Sequence, residues 1–280
     1  MVLLLIGFVT VAVLQSRRPA QPLLREDEKA PTGAATVTMM VDLMEAQLGG
    51  FGGWIPNDIF LSPSFYLDNL PNFQLGVLQV LRQDSRVLRD NLTRQRTSDA
   101  VHKDTDLAYS SFANDPYKWA FPSAESAFGR GVAALKRFRR QLGTKEASFY
   151  PRADNLVQLL EPLVSELGAV TTLLLNARNP EKVSWMGVDD NFYYAQGVGY
   201  ALLGTMQAVR SDFREVLADK KAGEIMDLIV DSLAASQFDP LVVTNGSKAG
   251  ILASHSNNVK VYLDDARQKM NSLISILKQG

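Results

Sequence analysis

Apolar positions recur with helical spacing along nearly the whole chain. Val37, Met40, Val41, Met44 and Leu48 fall on one face of a helix over about 36–48. From Asn72 to about Arg94, Phe73, Val77, Val80, Leu81, Leu88 and Leu92 repeat at spacings of three, four and seven, with Asn72 as the cap after Pro71. The opposite surface of that helix carries Arg82, Arg86, Arg89 and Arg94 with Asp84 and Asp90, within ion-pairing reach. Ser98 and Asp99 open another helix, with Val101, Thr105, Ala108 and Phe112 inward and Asn114-Asp115-Pro116 as its end. An aromatic run at 117–121 (YKWAF) leads into the start signal Pro122-Ser123. Phe128, Val132, Leu135, Phe138 and Leu142 then line a helix that Gly143 stops.

The second half reads the same way. Leu156, Leu160, Leu163, Leu167, Val170 and Leu174 form a near-heptad seam, in which Pro162 either kinks the helix or marks its first turn. Asp189 or Asp190 caps a long helix to about Lys220, and Gly197, Gly199 and Gly204 in it admit a close neighbour. A shorter helix follows at 222–237, and Val259, Leu263, Ala266, Met270, Leu273 and Leu277 mark the last. The strand-like run Leu241 to Thr244 is too short to build a sheet. The expected fold is therefore all-α: a multi-helix bundle whose halves, 34–143 and 152–280, form either two helical lobes or one continuous core.

The start of the chain stands apart. Residues 1–14 (MVLLLIGFVTVAVL) are uncharged and apolar but shorter than the roughly 20 residues that span a bilayer. With Arg17 and Arg18 after them and no small-residue cleavage site, residues 1–16 are read as an uncleaved membrane anchor, truncated at its start. By the positive-inside rule, the two arginines would hold the body in the cytoplasm. Residues 17–33, with Pro19, Pro22, Pro31 and a charge cluster at 25–29, read as a polar tether.

The least ordinary stretch is 49–72. Four glycines surround Phe51 and precede Trp54, and Pro56, Pro63 and Pro71 fix the path beyond them, so the loop is shaped and lies on neighbouring helices. It lacks the Gly-Lys-Ser/Thr ending of a phosphate loop and follows a helix, so nucleotide binding is not expected. Its surface is the expected partner-docking region, carried by Phe51, Trp54, Ile55, Asn57, Asp58, Phe60, Tyr66, Asp68 and Asn69. A tight loop packed by its aromatics is the plainer alternative.

Several motifs carry a family resemblance. Trp-Ile-Pro-Asn-Asp (54–58), Leu-Asp-Asn-Leu-Pro-Asn-Phe (67–73), Arg-Asp-Asn (89–91), Pro-Ser-Ala-Glu-Ser (122–126) and Phe-Tyr-Pro-Arg-Ala-Asp-Asn-Leu (149–156) resemble a proteobacterial family known as domain of unknown function 2333. The resemblance implies a single-pass inner-membrane protein with a helical, periplasmic body, the opposite of the orientation that Arg17 and Arg18 favour. It implies no catalytic residues.

Composition narrows the chemistry further. A net charge of −1 gives no global field for nucleic acid, and the lack of cysteine removes disulfides, thiolate nucleophiles and cysteine metal sites. His102 and His255 are far apart with no companion at metal spacing, so each is read as a surface or capping residue, and neither a metal nor another cofactor is expected. No Gly-x-Ser-x-Gly elbow singles out a serine. Asp58, Asp68 and Glu125 could supply paired carboxylates for cleavage of a cell-wall glycan, but all stand at turn or helix-start signals. Arg137 and Arg140 share a side of their helix and are the candidate anion contact, beside Lys136 and Arg139. The function expected is binding: an adaptor or scaffold for another envelope protein, with a cell-wall hydrolase or an apolar-ligand carrier as alternatives.

Overall fold

The computed structural model describes residues 7, 10–11, 17–24, 29–50, 52–58, 69–96, 98–144, 146–176, 185–238 and 255–279. Among them every regular element is a helix: α1 (Ala34–Leu48), α2 (Asn69–Val87), α3 (Lys103–Phe112), α4 (Ala124–Gln141), α5 (Ala153–Asn176), α6 (Trp185–Asp212), α7 (Arg214–Asp219), α8 (Gly223–Ala235) and α9 (His255–Lys278). The all-α expectation holds. The strand-like run at 241–244 lies outside the described residues.

The central pair is α2 and α6, which run parallel. Near their starts the Asn72 amide donates to Asp190 (2.8 Å), and further along the Thr205 hydroxyl donates to Asp84 (2.7 Å). Between these points the backbones nearly touch: a Cβ built at Gly197 would lie 2.0 Å from the Phe73 carbonyl oxygen, and one at Gly76 2.3 Å from that of Tyr194. Gly197 thus performs the close-approach role read from the sequence. The contact also joins the two expected halves, and a single buried cluster holds Leu43, Phe73, Phe128 and Phe138 together with Leu160, Leu202, Phe213 and Leu263.

Helix starts and ends follow their local signals in part. His102 caps α3, its Nδ1 accepting from the Asp104 amide, and the Ser123 hydroxyl accepts from Ser126 at the start of α4. Gly143, at φ 80°, follows the end of α4. Four expectations shift. The long helix starts at Trp185, so Asp189 and Asp190 lie inside it rather than capping it. The second helix starts at Asn69, so Pro71 sits in its first turn, where its missing N–H costs nothing, and Asn72 is inside rather than capping. The next starts at Lys103 rather than near Ser98, because Asp99 accepts from the Arg96 amide in a separate turn. The long helix expected to reach Lys220 breaks after Asp212, whose carboxylate reaches across to the first turn of α1, accepting from Gly33 (2.8 Å), the Thr36 amide (2.7 Å) and the Thr36 hydroxyl (2.7 Å). It satisfies the free N–H groups of that helix from outside it. Burial raises the proton affinity of Asp212 against the pull of these donors.

One described helix, α5, is long and apolar enough to cross a membrane. Its leucine seam, however, is buried against the bundle, and the helix continues through Pro162. The expected anchor at 1–16 lies almost wholly outside the described residues; positions 7, 10 and 11 are helical. Of the expected tether, 17–24 lies along α6: Arg18 donates to Gln196 (2.8 Å), Gln21 to the Tyr200 carbonyl (3.2 Å), and the Tyr200 hydroxyl to the Ala20 carbonyl (2.9 Å).

Candidate functional site

The glycine stretch is a plinth. Gly52 and Gly53 take φ values of 105° and 67°, which side chains rarely adopt, and the chain then folds onto three elements. Gln74 of α2 accepts from the Ile55 amide (3.0 Å) and donates to the carbonyls of Gln47 (3.2 Å) and Gly53 (2.9 Å). Glu125 of α4 accepts from the Trp54 amide (3.2 Å). Trp54 is fully buried, edge-on to Phe128 with centroids 4.8 Å apart.

On that plinth rests the loop from 113 to 123. The Trp54 indole N–H donates to the Pro116 carbonyl (2.8 Å) and the Asn57 amide to that of Lys118 (3.1 Å). Arg82 reaches from α2 to the carbonyls of Phe112 (2.8 Å) and Asn114 (2.7 Å). Asp115 accepts from the Tyr117 amide (3.0 Å), and the Lys118 carbonyl takes a second donor, the Ala124 amide (2.7 Å). The backbone is therefore held from four sides.

Its aromatic side chains are not. Tyr117 is 60% exposed, Trp119 76% and Phe121 95%, and Phe121 holds φ 51°, a conformation rare for a bulky residue. Three aromatic groups aimed outward from a fixed backbone are a built surface feature, since apolar side chains left to themselves fold back against the protein.

The Arg82 anchor can be tested directly. Burial lowers its proton affinity, yet its guanidinium makes two charge-assisted bonds to loop carbonyls. Arg82→Leu leaves both carbonyls without it and is expected to cost about 2–3 kcal/mol of stability. Amide exchange should accelerate at 113–118 while α5 and α9 keep their protection; unchanged exchange in the loop would show that Arg82 does not hold it.

The docking residues expected from the sequence divide accordingly. Trp54 and Ile55 are interior and serve as supports; Asn57, Asp58 and Asn69 are partly exposed around the plinth. Phe51, Phe60, Tyr66, Asp68 and the side chain of His255 lie outside the described residues. Glu125, exposed at the start of α4, accepts from the Trp54 amide through one of its oxygens. Arg137 pairs with the buried carboxylate of Asp104 (2.8 Å), whereas Arg140 is exposed. No cluster of three potential metal ligands occurs among the described residues. The feature that site selection from sequence passed over is the run 117–121 itself. Its signal was the placing of aromatics at every second position between two proline-marked turns.

Elsewhere, a cleft of about 1090 Å³ opens between residues 20–24 and 30–35, α1 and α7, with Leu23, Met39, Asp42, Arg139 and Asp212 on its walls. It mixes apolar and charged groups.

The family model describing an uncharacterised protein conserved in bacteria, domain of unknown function 2333, matches residues 5–182 and 175–280, and the chain belongs to that family. No match is found among curated proteins or among solved structures.

Proposed function

We propose that this member of the family is a membrane-tethered envelope protein that acts by binding, as an adaptor or scaffold. Its anchor is the apolar segment 1–16, its body is periplasmic, and its docking surface is the end of the bundle carrying the aromatic loop. The observation behind this reading is the outward display of Tyr117, Trp119 and Phe121 from a backbone fixed by Arg82, Trp54, Asn57 and Ala124. Of the three carboxylates considered for glycan cleavage, Glu125 supports the plinth, and His102, read as a surface or capping residue, caps α3. The docking region expected at 49–72 is retained in narrower form. Trp54 and Ile55 support it, and Asn57, Asp58 and Asn69 flank it.

Two measurements test the reading. A phosphatase fused at Gly280 is expected to be active, and a cytoplasm-restricted fluorescent protein at the same position dark; the reverse would place the body in the cytoplasm. A photo-crosslinking residue in place of Trp119 is expected to give protein or lipid adducts in cells that the same residue at Glu146, exposed at the far end of the bundle, does not. Identical outcomes at the two positions would remove the loop as a docking surface.

A further inference from the structure

We infer that the partner of the aromatic loop is the lipid bilayer itself, met at its headgroup boundary, so that the protein holds its membrane at two points. The inference rests on the anchoring proposed above. It is carried by the route of the chain, the state of the loop backbone and the chemistry of the exposed side chains.

The route comes first. Residues 24 to 17, followed backwards, climb α6 toward its start, from Gln21 on the Tyr200 carbonyl to Arg18 on Gln196. Arg18 also stacks over Phe73, in the first turns of α2. Residues 17 and 18, next to the apolar segment in the chain, therefore lie toward the end where α2 and α6 begin. The aromatic loop is at that same end: it joins the start of α4 and rests on Trp54 and Asn57, whose plinth is pinned by Gln74 of α2. A body anchored through this part of the chain turns this end to the membrane.

Backbone satisfaction comes second. Entering the headgroup boundary strips water from peptide groups, and the loss is small only where those groups already have partners. The carbonyls of Phe112, Asn114, Pro116 and Lys118 are all occupied within the protein. The stem of the loop, up to Lys118, can meet the boundary with these hydrogen bonds intact.

The side chains then match the boundary. Tyrosine and tryptophan, with an apolar ring and one polar edge, concentrate at headgroup level, and phenylalanine can sit deeper. Phe121 is the most exposed of the three. Lys118 stands among them, Asp115 lies at the base of the loop, and Glu125 turns a carboxylate oxygen inward to Trp54. Arg82 and Lys118 stand against Asp58, Asp115 and Glu125, so no basic patch draws the loop to anionic lipid, and contact through the rings should persist at high salt.

The chain has no cysteine, so single labels can be placed cleanly. Full-length F121C and E146C, each carrying a nitroxide, are reconstituted into phosphatidylethanolamine–phosphatidylglycerol vesicles and probed with oxygen, which partitions into lipid, and a water-soluble nickel complex. The expected result is flotation of both proteins with the vesicles and an oxygen-to-nickel accessibility ratio several-fold higher at 121 than at 146, unchanged by salt. Protein that fails to float overturns the anchoring and the inference with it. Floating protein whose label at 121 is as open to nickel as that at 146 overturns the inference alone. A label at 121 shielded from both reagents also overturns it, because the loop is then covered by protein.

Discussion

Gly197→Ala is expected to be among the most damaging small substitutions in the chain. Alanine suits helix interiors better than glycine by roughly 1 kcal/mol, so in open surroundings the change stabilises. Here the new methyl would lie 2.0 Å from the Phe73 carbonyl oxygen and 2.8 Å from its carbon, atoms of the backbone that no rotamer change can move aside. The helices must separate, and because both are buried along their length the loss spreads to their neighbours. We expect destabilisation of about 3 kcal/mol or more, a fall in Tm of roughly 6–12 °C for a domain of this size. Gly76→Ala meets the same crossing from the other helix, at 2.3 Å from the Tyr194 carbonyl oxygen, so the double variant should cost much less than the two single effects added. Gly129→Ala, in the interior of α4 with no foreign atom within 4 Å of the new methyl, is the control and should raise Tm slightly. Equal thermal midpoints for Gly197→Ala and Gly129→Ala would show that the crossing is not closely packed in solution.

The contrast shows what sequence alone can and cannot reveal here. Helical periodicity located the helices because each buries one stripe, and glycine in a helix interior signalled close approach because its conformational cost needs a reason. Which glycine touches which carbonyl depends on a helix more than a hundred residues away, and no local pattern contains that. The same limit explains the break at Asp212, whose carboxylate serves α1. It also explains Arg18 and Gln21, which read as parts of a polar tether but bind α6. At the candidate site the plinth was visible as glycine and aromatic residues. Its residues were chosen for docking because large apolar groups in a loop suggest exposure, yet Trp54 is interior and the exposed aromatics are those at 117–121. Burial in a loop is decided by which neighbouring helix reaches it, through Gln74, Arg82 and Glu125, and those reaches are tertiary.

Asp84 is the clearest case, and it carries the second large effect. Its position in the charge pattern of α2 placed it on the outer surface beside Arg82 and Arg86. The structure corrects this: Asp84 is 2% exposed and faces α6, one oxygen accepting from the Thr205 hydroxyl and the other without a hydrogen-bond partner among the described residues. Burial pushes its carboxyl up to about 7 from the ordinary 3.8, and the Thr205 bond only partly opposes the shift. The folded state therefore holds the proton more tightly than the unfolded chain does. Below about pH 4 both states are protonated and the fold bears no penalty from this group. Between about pH 4 and 7 the unfolded chain ionises first and stability falls with rising pH, by about 1.4 kcal/mol per pH unit, to a total of about 4 kcal/mol that persists above pH 7. Asp84→Asn keeps the shape and an acceptor for Thr205 but cannot ionise. The difference in Tm between this variant and the parent should therefore widen from pH 4 to pH 7 in favour of asparagine, by roughly 8–16 °C, and then level off. Asp212, which burial also raises, is present in both proteins and drops out of the difference. A Tm difference that stays constant across this range would mean that Asp84 is solvated and the α2–α6 contact looser than described. A widening that follows the expected sign would identify a buried carboxyl that holds its proton up to about pH 7, a standing cost at neutral pH built into the centre of the bundle.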